Sequence, residues 1–164
     1  PGNFTSLRIS LAYIKAIAFY LKIPVVSLNS FQILAMSRPH INKQHPIIVA
    51  IDARMKEIYW VKYQHYSDIF SKHNIYNLTS EDNLYKELEN YNRNEINIIK
   101  SNAVILQEDQ KVDYLTKETV IENYDIDLFN IFSLIEKKIE SNNVENIQDI
   151  NLLYIRNDVA NKIK

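Results

Sequence analysis

The chain has no cysteine and one glycine, Gly2, among its 164 residues. Without cysteine there is no disulfide, no thiolate nucleophile and no Cys-ligated zinc. One glycine excludes the Gly-rich phosphate loops of the Walker and dinucleotide types, which need several glycines for tight turns and close backbone approach. An excess of one charge is missing too: 19 Lys and Arg face 20 Asp and Glu, a net charge of −1. There is thus no overall basic footprint for nucleic acid, and any RNA contact has to be local or supplied by a partner. No apolar run reads as long and uncharged enough for a membrane span, because Lys15 interrupts the first one and Pro24 ends it. The opening stretch does not read as a secretory leader either, lacking a basic start and a small-residue cleavage site. What is present is a 46% hydrophobic content, enough for a sizeable core in one or two small domains.

The organising stretch is the first, Pro1 to Val26. Asn3 or Thr5 can cap a helix there, and Pro24 stops it. Residues set 100° apart put Leu7, Leu11, Ile14, Ala18 and Leu21 on one face. Ser6, Ser10, Tyr13, Ile17 and Tyr20 fall on the adjoining face, which Ile9 and Ala16 extend. Only the edge of Thr5, Arg8, Lys15 and Lys22 reads as wet, leaving an apolar or small arc of roughly 220° where a surface helix shows about 100°. Such a helix needs two dry neighbours: a sheet of its own domain, and a second domain or another chain.

Downstream, Val25 to Leu28 reads as a short strand and Ser30 as the cap of a helix to about Ser37. Arg38 to Pro46 is a polar connection; its His40 and His45, with no neighbouring ligand, do not make a metal site. Ile47–Ile51 and Glu57–Tyr63 read as strands joined by a short turn. A strand near Asn74 to Leu78 follows, then a helix capped by Thr79 or Ser80 and running to about Tyr91. Glu95 to Gln107 begins with a strand. Asp127 to Ser141 reads as a one-faced surface helix, burying Leu128, Ile131, Phe132, Ile135 and Ile139 and turning its charges to solvent. Arg54, Tyr59, Trp60, Lys62 and Tyr63 invite an RNA hypothesis, but strand alternation splits them between two faces and leaves no basic platform. No Ser/His/Asp set has a local signature.

Three stretches carry a family resemblance. PGNFTSLRIS followed by IPVVSLNS, AIDARMKEIYWVKY at Ala50 to Tyr63, and YIRNDVA at Tyr154 to Ala160 resemble, in order, the opening, hairpin and closing motifs of the bacterial TsaB proteins. The likeness implies an α/β chain of the actin-like ATPase (RNase H-like, ASKHA) fold. Residues 1–45 would be a remnant of the first lobe with the crossing, and residues 46–164 the second lobe. Ser6, Ser10, Ala16, Tyr20, Lys22 and Lys56 stand where the family motif usually has glycine, so a positive φ is implied at Lys56.

The resemblance further implies a non-catalytic dimerisation subunit of the machinery that transfers threonylcarbamoyl from threonylcarbamoyl-AMP to the adenosine next to the tRNA anticodon. Its partners would be TsaD, which carries the chemistry, and the ATPase TsaE. It would pair with itself when alone, reach tRNA through the complex, work in the cytoplasm and use no cofactor or metal. The partner face would be Ser6, Ser10, Tyr13, Ile17 and Tyr20. Two other readings stand beside it: a residual actin-like nucleotide-binding enzyme, for which Asp52 is the visible phosphate or metal candidate, and a decayed, truncated product.

Overall fold

In the computed structural model the described residues are 3–37, 41–71, 73–92, 95–100, 120–121, 128–140 and 144–156. His40, residues 101–119 and the last four residues of the closing motif, 157–160, lie outside them. Two helices come first, α1 (Phe4–Leu21) and α2 (Ser30–Met36). The strands β1 (Ile47–Asp52), β2 (Glu57–Tyr63) and β3 (Tyr76–Ser80) follow, with a 3-10 turn at Tyr66–Phe70 before β3. Then come α3 (Glu81–Leu88), β4 (Asn97–Lys100), β5 (Val120–Ile121) and α4 (Leu128–Glu140).

The five strands form one sheet in the order β3-β2-β1-β4-β5. β1 is its centre because IIVAI offers no polar side chain to either face, the pattern of a strand covered on both sides. It pairs antiparallel with β2, Ile47 opposite Tyr63 and Asp52 opposite Ile58, and parallel with β4. Alternation then sorts the core. Ile47, Val49, Ile51, Val61, Tyr63 and Ile99 face α2 and α4, which contribute Phe31, Ala35, Met36 and Ile131. Ile48, Ala50, Ile58 and Ile98 face Leu84 and Leu88 of α3.

Asn3 caps α1 as expected, its carbonyl oxygen accepting from the backbone N–H groups of Thr5 (3.0 Å) and Ser6 (3.3 Å). The helix ends at Lys22 in the left-handed region, φ 55°, before Pro24 is reached. For α2 the cap is Asn29, one residue earlier than expected, because Gln32 reaches back to the Asn29 N–H and closes a capping box. α3 stops at Leu88, short of Tyr91.

Two expectations about helix faces hold only in part. On α4 Ile131 is buried and Ile135 packs half-buried against the core, while Leu128, Phe132 and Ile139 remain exposed. The reason is position: the helix rests on the core through the side of Asn130, Ile131 and Ile135, where the Asn130 amide donates to Met36 O at 2.9 Å. On α1, the edge read as wet leaves Thr5, Arg8 and Lys22 exposed, yet it also carries the ties to the rest of the chain. Arg8 Nε donates to the Tyr154 hydroxyl (2.9 Å) and Lys15 Nζ to Gln148 O (3.3 Å), so both cations reach along their aliphatic stems to acceptors on a later segment. Ala18 is the one buried residue of α1. By length and apolarity alone α1 also meets the requirement for a membrane span.

The Tyr63 side chain is wholly buried, and its hydroxyl finds no hydrogen-bond partner among the described residues. Burial, and then the neighbouring Tyr76, push its phenol well above the ordinary 10.0. The folded chain therefore holds this proton more tightly than the unfolded one. Its contribution is complete below the unfolded pKa and is lost as pH rises beyond it. Tyr63→Phe is expected to stabilise the chain by about 1 kcal/mol at neutral pH, since an unsatisfied buried hydroxyl is removed. In urea titrations its advantage over the parent should widen between about pH 8 and about pH 11; a less stable variant at the lower pH would show that the hydroxyl is satisfied.

Candidate partner interface and the turn beside it

α1 presents its second face to solvent along its whole length. Ser6, Ser10, Tyr13, Ile17 and Tyr20 are all exposed, Tyr13 at 68% and Tyr20 at 83%. Ile9, Ile14 and Leu21 flank them and are exposed as well. The structure thus brings the five expected interface residues together on one bare surface, and the first face is covered only where Leu11 and Ala18 lie. Small side chains at the start of the face allow a second helix within about 8 to 10 Å, and the tyrosines farther along supply buriable area.

Asp52 lies apart from this surface, at the end of β1. Its Oδ1 accepts from the Arg54 N–H at 2.9 Å, which makes it a tie of the β1–β2 turn. Among the described residues no three His, Cys, Asp or Glu side chains cluster as a metal site. The turn is more strained than the expectation for Lys56 alone: Arg54, Met55 and Lys56 all have positive φ, 61°, 56° and 60°. Each such residue costs roughly 1 kcal/mol or more.

Arg156 helps to hold that turn. Its guanidinium donates to Ala53 O (3.2 Å), pairs with the Glu57 carboxylate, and lies 5.9 Å from the Tyr59 ring centre. The signal available in the sequence was its place in the closing motif. A cleft of about 690 Å³ opens beside it, walled by Leu7, Leu11, Phe31, Tyr59, Tyr76 and Leu152, and Asp52 does not line it.

The hairpin makes no RNA platform. Tyr63 is buried and Tyr59 packs against the same core. On the opposite face Trp60 Nε1 donates to Thr79 Oγ1, and Lys62 pairs with Glu87 at 2.7 Å. The Glu87 carboxylate, and then the Tyr91 hydroxyl, hold the Lys62 ammonium above its ordinary 10.5.

This arrangement of sheet and helices is that of an actin-like α/β fold. A solved Pseudomonas aeruginosa protein described as similar to the peptidase YeaZ superposes with a TM-score of 0.62 and 19% identity, covering 95% of this chain and 70% of the other. YeaZ from Pseudomonas aeruginosa superposes with a TM-score of 0.58 and 18% identity. The family model described as TsaD: tRNA N6-adenosine threonylcarbamoyltransferase matches residues 1–113. TsaB, a tRNA threonylcarbamoyladenosine biosynthesis protein of Buchnera aphidicola subsp. Acyrthosiphon pisum, is 43% identical over 63 residues, 38% of this chain and 28% of that protein. TsaB of Escherichia coli K12 is 33% identical over 64 residues, again 28% of its length. The chain belongs to the family of that model, and over the matched stretch it is similar to these TsaB proteins.

Lys56→Gly should relieve one left-handed residue and stabilise the chain by up to about 1 kcal/mol in urea titration. Asp52→Ala, which removes the acceptor for the Arg54 N–H, should cost a similar amount, and Asp52→Asn, which keeps an acceptor, much less.

Proposed function

We propose that this chain is a non-catalytic docking subunit in tRNA threonylcarbamoyladenosine biosynthesis. In this reading it pairs with TsaD through the second face of α1 and works in the cytoplasm beside the ATPase TsaE, with TsaD performing the transfer and contacting tRNA. Residues 1–45 then act as a first-lobe remnant that carries the docking helix, and residues 46–164 as the second lobe that supports it. The pathway is supported by the family match and by the names of the TsaB relatives, of whose length the matched stretch spans 28%. The docking role is carried by one observation: an 18-residue helix buries Ala18 and leaves Tyr13, Ile17 and Tyr20 bare. Leaving such an apolar arc in water forgoes roughly 1.5–3 kcal/mol per large side chain, which a partner surface would recover. In the absence of TsaD the same face would pair two copies of this chain.

The chain alone is expected to leave threonylcarbamoyl-AMP and tRNA unreacted, while its loss abolishes the modified nucleoside in tRNA; turnover without TsaD would overturn the non-catalytic reading. Tyr13→Glu is expected to weaken TsaD binding by several kcal/mol, because a charge enters a dry interface. The control is Ala12→Glu, exposed and 100° around the helix axis from Tyr13. Lys15 is unsuited to that purpose, since its ammonium holds Gln148 O. Calorimetric titration of both variants against TsaD, alongside their melting curves, separates lost docking from lost folding. Equal affinities for Tyr13→Glu and the parent would remove the interface from this face.

A further inference from the structure

We propose that residues 144–156 are a strap that fixes the orientation in which α1 presents its docking face, a positioning device that rests on the docking role given above. The strap meets the first part of the chain at a single antiparallel bridge, Val25 to Glu145, where Ser27 Oγ also donates to the Glu145 carboxylate. It then runs antiparallel to α1. Gln148 O accepts from Lys15, and six residues on, the Tyr154 hydroxyl accepts from Arg8, one face of whose guanidinium lies 3.9 Å from the centre of the Phe4 ring. Phe4 and Tyr154 are tilted against each other with ring centres 5.8 Å apart. Two residues farther, Arg156 is anchored in the β1–β2 turn through Ala53 O, Met55 Sδ and Glu57.

Among the described residues, both polar side-chain ties from α1 to the rest of the chain land on this strap. The three stretches that carry the family resemblance, separated by tens of residues in sequence, thus meet along it: Phe4 and Arg8 of the opening motif, Tyr154 and Arg156 of the closing one, Ala53 and Glu57 of the hairpin. A helix that buries one residue has little apolar contact to hold its angle against the sheet. Polar ties along a segment without helix or strand, from the turn at Gln148 to Arg156, supply that angle and leave the outer face bare. A docking helix held in one pose spares the partner the entropy of ordering it.

The test uses the absence of cysteine. Spin labels on Ala12→Cys in α1 and Lys86→Cys in α3, both exposed positions, should give one narrow distance distribution by pulsed electron resonance. Tyr154→Ala, which touches only the α1 end, and Arg156→Ala, which frees the hairpin end, are each expected to broaden it. The fluorescence melting of Trp60, seated in the sheet, should stay unchanged in Tyr154→Ala, so that broadening there is not unfolding. In the unlabelled Tyr154→Ala chain, affinity for TsaD should fall about tenfold, as expected for lost preorganisation. A distribution that stays narrow in both variants would overturn the strap, and so would broadening with unchanged affinity. Failure of the parent chain to bind TsaD would instead overturn the docking role, with the spin-label distances still deciding the strap's hold on α1.

Discussion

The rest of the structure hangs on β1, a strand with no polar side chain before Asp52 and no exposed side before its end. A strand of that kind is stable only if both faces are covered and both edges paired, because its main-chain groups have no water to turn to. Those two demands explain the arrangement. β2 closes one edge through a tight turn, β4 returns after α3 to close the other, α2 and α4 seal one face and α3 the other. The cost of the tight turn is visible in three consecutive left-handed residues, tolerated because Asp52 and Arg156 hold them from either side.

α1 stands outside that scheme. It has the composition of a buried helix and the exposure of a surface one. The conflict between local sequence and environment is the kind that marks functional surfaces, since a chain selected only for its own fold would have placed polar residues at Tyr13, Ile17 and Tyr20. The cations that would ordinarily mark the solvated edge are the groups that moor it.

The central hairpin was legible in the sequence because β-branched runs bounded by a charged turn leave little ambiguity, and β1 and β2 fall within a residue of where the pattern put them. The cap at Asn3 was legible for the same local reason. Polarity misled at Arg8 and Lys15, whose long stems let a charged residue line a contact while its head group finds an acceptor. Periodicity found Ile131 and Ile135 on α4 but misled at Leu128, Phe132 and Ile139, because spacing tells which residues share a face but not how far anything covers it. The ties between Arg8 and Tyr154, and between Arg156 and Glu57, span 146 and 99 positions, and no local pattern reports a pairing of that range. The surplus apolar arc of α1 was readable; the identity of its occupant came only from resemblance.

The order of synthesis gives the strap a further meaning. α1 leaves the ribosome among the first residues of this stretch, and the segment that moors it comes more than a hundred residues later. At ribosomal speeds the helix waits on the order of ten seconds as an uncovered apolar rod on a nascent chain. That is long enough for a chaperone to grip it, or for two neighbouring nascent copies to join through it before either has a strap. The strap, made long after the helix, is thus what turns a loose apolar rod into an oriented handle.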